Sequence, residues 1–160
     1  LCPQGTFRAA MHVTSSGRCS GASPVPETCD TTMPFLHLTE DATGLSHFSD
    51  ASVPLRSGGF APPAPPMPIS SLEPATGLLY LTLPAGWGGA QHRSPRRQVA
   101  FCLSGRLRVQ AGDGDAREFS AGAIWRMEDV TGAGHTTTVI GDEDVRLAIV
   151  QLPPQSDDPI

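Results

Sequence analysis

His92 and His135 are the side chains of this sequence best suited to do chemistry. Each sits in a glycine-punctuated stretch: His92 in the run from Gly86 to Gly105, and His135 directly after Gly132-Ala133-Gly134. Neutral imidazole is a good ligand for first-row divalent metals, whereas an amide oxygen such as that of nearby Gln98 is much poorer than a carboxylate. Ser94 and Gln98 can each donate and accept, so with His92 they can equally close into a hydrogen-bonded cluster that needs no ion. A nucleophilic Ser94 is a further reading, but no orienting acid or oxyanion turn is identifiable for it. Glu128, close to the second stretch, is a candidate general base or stand-in carboxylate ligand, against the alternative of a surface turn acid. Arg96 and Arg97 alternate faces at the entry of a strand, so one of them, assigned here as Arg97, can point into the site and bind a carboxylate through both nitrogens. A solvated surface pair is the alternative for these two.

The elements that must hold these residues are short and strand-like: Leu78 to Leu83, Gln98 to Leu103, Arg106 to Gln110, Ala116 to Phe119, Ala123 to Met127, Thr136 to Ile140 and Val145 to Leu152. Turns punctuate them at Ser104-Gly105, Gly112-Asp113-Gly114-Asp115 and Gly141-Asp142, and no long helical period interrupts. Frequent short strands of this kind predict a sandwich or a closed barrel. Alternation along one strand places Gln98, Ala100 and Cys102 on one side, suited to a lumen, and Val99, Phe101 and Leu103 on the other. The second, apolar set needs a cover, either an N-terminal arm or a second subunit. The proline-rich run from Phe60 to Pro68 is expected to be extended, because each proline fixes its own φ and restricts its predecessor. A strand or short helix is expected to begin near Phe35.

The stretch from Gly86 to Gly105 resembles the first motif of the cupin barrels, G-x5-H-x-H-x3-E-x6-G, with Gly86, His92 and Gly105 on the pattern. Ser94 stands where the second histidine belongs and Gln98 where the glutamate belongs. The second cupin motif is matched more loosely by Gly122 and by the Gly132 to His135 core, with Val130 and Val139 in place of its proline and asparagine. The resemblance covers roughly residues 78–152 and extends to a branch of small single-domain cupins without an assured activity. It implies an all-β double-stranded β-helix, or jelly-roll, barrel with an extended N-terminal arm. It further implies a metal site at His92, Gln98, His135 and Ser94 that takes manganese, iron, nickel or zinc; the catalytic parts expected of Glu128 and Arg97 rest on the residue readings above. The expected activity is that of a metal-dependent enzyme, of oxygenase, isomerase or lyase type, acting on a small, anionic organic molecule in the lumen. A non-catalytic binding or sensing cupin without metal is the alternative. Replacing glutamate by Gln98 removes one negative charge from the ligand set, and a more weakly held, more Lewis-acidic metal is the consequence.

Composition narrows the partners. With 160 residues the chain has room for one domain with a core. Eleven Lys+Arg against 16 Asp+Glu give a net charge of -5, and the one basic cluster, Arg93, Arg96 and Arg97, lies inside the proposed site, so a nucleic-acid partner is not expected. No apolar run is long enough for a membrane span, and no secretory stretch is present, so a cytoplasmic protein is expected. Cys2, Cys19 and Cys29 crowd the first 30 residues, away from the patterned region, which argues against a disulfide framework, and Cys102 reads as a buried thiol. The expected organisation is an unstructured extension over 1–32, a segment with the proline-rich arm over 33–76, the barrel over 77–153 and a tail over 154–160. The apolar strip of the Gln98 strand, together with the habit of cupins to pair, implies a homodimer.

Overall fold

The computed structural model describes residues 31–155. The expected extension and tail, apart from their ends nearest the barrel, and Cys2, Cys19 and Cys29 lie outside the described residues.

Ten strands and no helix make up the described chain: β1 (Thr31–Glu40), β2 (Ser46–Gly58), β3 (Met67–Ile69), β4 (Gly77–Leu83), β5 (Gln98–Ser104), β6 (Arg106–Gln110), β7 (Ala116–Ser120), β8 (Ile124–Met127), β9 (Thr136–Val139) and β10 (Val145–Gln151). From β4 onward these match the strands expected from the sequence to within one residue at each end. They form two sheets, a seven-stranded one in the order β3-β2-β1-β8-β5-β10-β4 and a three-stranded one in the order β7-β6-β9. Face to face these make the jelly-roll barrel. Between them lies the core, built from Leu38, Leu107, Val109, Phe119, Trp125 and Val145 with Ala100, Cys102, Leu147 and Ile149.

Strand β5 alternates as its sequence dictates, with Gln98, Ala100 and Cys102 buried and Phe101 and Leu103 exposed on the far face. Burial pushes the Cys102 thiol pKa up, consistent with an inert core residue. Gly112 to Asp115 form the β6–β7 hairpin turn, closed by the Ala111 N–H donating to Asp115 O (2.8 Å), with Gly114 at φ +92°.

The N-terminal segment differs from expectation. Ahead of the proline run, β1 and β2 form a long antiparallel hairpin, and β1 joins the barrel sheet by parallel pairing with β8 (Leu36↔Trp125, Leu38↔Met127). Leu38 alternates into the core. The hairpin therefore widens the apolar outer face of the sheet, and Ser70, Glu73 and Ala75 of the segment after β3 border that face beside Val99 and Phe101. The proline run is not uniformly extended either: Ala64 N–H donates to Ala61 O (2.9 Å) across a cis Pro62–Pro63 peptide, a reversal that turns the chain back so that β3 can pair with β2. Proline at the third place of such a turn is compatible with the cis isomer, an option that reasoning from φ alone omits.

Candidate functional site

The loop after β4 and the loop before β9 meet at the two histidines. His92 and His135 lie directly opposite each other and exchange backbone hydrogen bonds, His92 N to His135 O at 2.9 Å and His135 N to His92 O at 2.8 Å. Gly134 makes this approach geometrically feasible. It sits at φ +77°, and a Cβ on it would lie 2.0 Å from His92 O. Gly132 is confined in the same way, with Gly44 O 2.0 Å from a hypothetical Cβ. The two motif glycines thus pack the loop against its neighbours.

The pairing brings the imidazoles side by side, ring centroids 4.8 Å apart. Each ring is held through Nδ1. His92 Nδ1–H donates to Ala90 O at 2.8 Å, and His135 Nδ1–H to Asp129 Oδ2 at 2.6 Å. In these tautomers Nε2 of each ring keeps a free lone pair, and neither Nε2 bonds to another described residue. Trp125 packs edge-on against His135, centroids 5.3 Å apart at 77°, and fixes the ring plane.

Both histidines line a cavity of about 370 Å³ that opens between the sheets. Its walls are mainly apolar, from Leu79, Leu81, Leu83, Trp87, Leu147 and Ile149, with Gln98 and Met127 beside the histidines. Gln98, nearly buried, donates its amide N–H to Met127 Sδ at 3.5 Å. Ser94 is buried too, but its hydroxyl donates to Asp129 Oδ1 at 2.7 Å. The nucleophile reading therefore lacks its base: the Ser94 proton goes to a carboxylate, not to imidazole. The structure thus brings together all four expected ligand residues, His92, Ser94, Gln98 and His135, on one lumen wall.

Asp129 was not foreseen. Fully buried, it bonds both Ser94 and His135, and Ser94 N–H adds a hydrogen bond to its backbone O at 3.0 Å. Strand parity contains the signal: Trp125 and Met127 face the core, so Asp129 continues the inward row and Glu128 the outward one.

Glu128 and Arg97 lie on that outward face and do not line the lumen. They pair with each other, Arg97 Nε to Glu128 Oε1 at 3.1 Å, and Arg97 also donates to Pro153 O at 3.0 Å. Glu128 further bonds His37 (2.8 Å) and Arg126 (3.0 Å), and these partners, His37 foremost and then the two arginines, hold its carboxyl down at about 2. A carboxylate so thoroughly neutralised is a poor base. With Arg97 outside, no arginine or lysine among the described residues lines the cavity, and Arg97 does not supply the expected grip on an anionic ligand there.

The donor chemistry bears on a metal. Two imidazole nitrogens anchored by a carbonyl and a carboxylate are oriented as metal-binding histidines are. Among the described residues, however, no group of three or more His, Cys, Asp or Glu side chains is placed to hold an ion, and both oxygens of Asp129 are engaged behind His135. The residues fit a metal as a two-nitrogen anchor, with the neutral amide of Gln98 as neighbour.

Two facing sheets around a lumen with histidines on the loop ends define an all-β jelly-roll barrel with a site between its sheets. No protein-family model matches the chain, and no curated protein matches it in sequence. Solved structures similar in chain path include a Cupin 2 conserved barrel domain protein from Salinispora arenicola (15% identity, 63% of this chain and 76% of that one, TM-score 0.41). The Cnp3 cupin domain of Schizosaccharomyces pombe is similar over 79% of this chain and 86% of its own, at 13% identity and TM-score 0.40. A conserved protein of unknown function from Streptococcus pyogenes is similar over 54% of this chain and 72% of its own, at 17% identity and TM-score 0.39. Likeness at this level says nothing about chemistry. Among the described residues no helix is long and apolar enough to cross a membrane.

Proposed function

We propose that the lumen is the reaction chamber of a cupin-type enzyme in which His92 and His135 hold a divalent metal ion, manganese, iron, nickel or zinc, and that the chain works as a homodimer. The observation that carries this is the anchoring of both rings at Nδ1, which leaves two adjacent Nε2 lone pairs on one cavity wall. When bound, the ion supplies Lewis acidity. The chain's own residues do the rest. Asp129 fixes the His135 tautomer, and Trp125 fixes its plane. The leucine and tryptophan walls exclude water and take the apolar body of a small organic molecule. The polar end of that molecule would lie beside His92, Gln98 and His135, polar side chains of the cavity wall.

Two ring nitrogens with no third ionisable donor beside them among the described residues favour a second reading, a binding or sensing cupin in which the same two nitrogens accept hydrogen bonds from a ligand. Elemental analysis of protein prepared without chelator, then incubated with each of the four ions, separates the two. Retention of one ion per chain, abolished in His92→Ala and His135→Ala, is expected. Gln98→Glu restores a carboxylate at a nearly buried position, so it should lower the melting temperature of the metal-free protein and enlarge the rise on adding metal. No retained ion in wild type, with all four offered, leaves the metal-free reading.

A further inference from the structure

The outer face of the seven-stranded sheet carries a second cavity. A groove of about 290 Å³ runs between the β1–β2 hairpin and the segment after β3, floored by Val99, Phe101, Ile124 and Val150 and walled by Phe35. At the groove stands one cation, Arg126, with a side chain only 17% exposed. Its guanidinium is shared between two carboxylates of very different standing. Glu128, on the Nε side at 3.0 Å, is locked from behind by Arg97 and His37. Glu73 approaches the other side with both oxygens, at 3.0 Å from Nη1 and 2.7 Å from Nη2, and is 51% exposed.

Glu73 belongs to a strap, residues 70–76, three of which, Ser70, Glu73 and Ala75, line the groove. Among the described residues, no backbone hydrogen bond ties residues 71–75 of it to the barrel. The next anchor is Thr76 N–H to Gln151 O at 2.9 Å. A half-exposed ion pair on such a strap contributes little to stability and exchanges readily. The planar fork of Arg126 matches any carboxylate through two parallel hydrogen bonds.

We propose that this groove is a binding site for a small monocarboxylate with an apolar body, and that Glu73 occupies the carboxylate position at Arg126 until such a ligand displaces it. Charge supports the exchange. Arg97 and Arg126 balance Glu128 and Glu73, and a ligand carboxylate replacing that of Glu73 leaves the balance unchanged. The apolar body covers floor residues that water now reaches, Phe101 among them at 37% exposure. This site stands apart from the lumen and is independent of the metal there.

Calorimetric titration of the full chain with decanoate, and with decylamine as the cationic counterpart, tests it. Saturable uptake of about one decanoate per chain is expected, several-fold tighter in Glu73→Gln, where the competitor is gone, and weaker by roughly tenfold or more in Arg126→Gln, as loss of a bidentate partner implies. Decylamine should give no saturable binding. Because Arg126→Gln also removes a partner of Glu128, the exposed Glu73→Gln variant keeps the test independent of folding. Absence of saturable uptake by Glu73→Gln overturns the proposal, and so does equal binding of decylamine.

Discussion

Asp129 shows how much one buried carboxylate decides. Its two oxygens take the Ser94 hydroxyl and the His135 Nδ1–H, and thereby leave His135 Nε2 unprotonated on the lumen. In Asp129→Asn the amide oxygen can still serve Ser94, but the amide N–H2 faces Nδ1 and favours the opposite tautomer, with the proton on Nε2. The fold should survive, whereas metal affinity should fall by about 10- to 100-fold, the usual cost of losing such an orienting partner. Nitrogen-15 chemical shifts of His135 report the tautomer directly. Glu128, its neighbour in sequence, does different work. Its carboxyl lies at about 2 against an ordinary 4.5, so it contributes stability that is present above about pH 4.5 and lost as pH falls towards 2. Glu128→Gln should flatten the acid limb of the stability curve in that window, measured by denaturant unfolding at each pH. The site histidines were legible from spacing. The choice between two adjacent acids was not, because spacing says how far apart residues are and only strand parity says which way they face.

At the scale of elements, the strands from β4 to β10 were legible because alternation and glycine turns reinforce each other there, as in Gln98 to Leu103 followed by Ser104-Gly105. The first hairpin was not. Residues 46–58 mix serine, aspartate and proline, and their strand character comes from ten register pairs with β1 rather than from an apolar pattern. Its turn is held instead by Asp41, whose Oδ1 accepts from Thr43 N–H and Leu45 N–H, and by His47, which bridges Asp41 and Asp113 at 2.9 Å each. The motif glycines make the corresponding argument for the site loop. Gly134→Ala places a Cβ 2.0 Å from the His92 carbonyl at φ +77°, so the His92–His135 pairing must open, and a loss of about 3 kcal/mol or outright misfolding is expected. Gly122→Ala, at φ +90° with open space around it, should cost only about 1 kcal/mol. Thermal unfolding of the two variants side by side isolates the close contact from the backbone strain common to both.

Over the whole molecule, the asymmetry between the faces of the large sheet is the dominant feature. The inner face is closed by the three-stranded sheet, whereas the outer face leaves Leu78, Tyr80 and Leu103 at 58%, 72% and 54% exposure, with Phe101 beside them. These residues come from β4 and β5, which flank β10 in the sheet, so they form one continuous strip towards the β4 edge, adjoining the groove. A strip of this kind on a strand edge invites pairing, and a two-fold arrangement satisfies both copies with one surface. The N-terminal hairpin widens the sheet on its other side, beyond β8, and leaves the strip open. Homodimerisation through it follows from the proposal above. Light scattering at micromolar concentration should therefore give about twice the 16.8 kDa chain mass. Leu103→Glu places a carboxylate in the contact and should yield monomer, whereas Phe101→Glu should impair decanoate uptake because that ring floors the groove. Leu103 does not line the groove, so Leu103→Glu should bind decanoate normally as a monomer. A monodisperse wild-type monomer would show that the exposed strip is not a subunit contact.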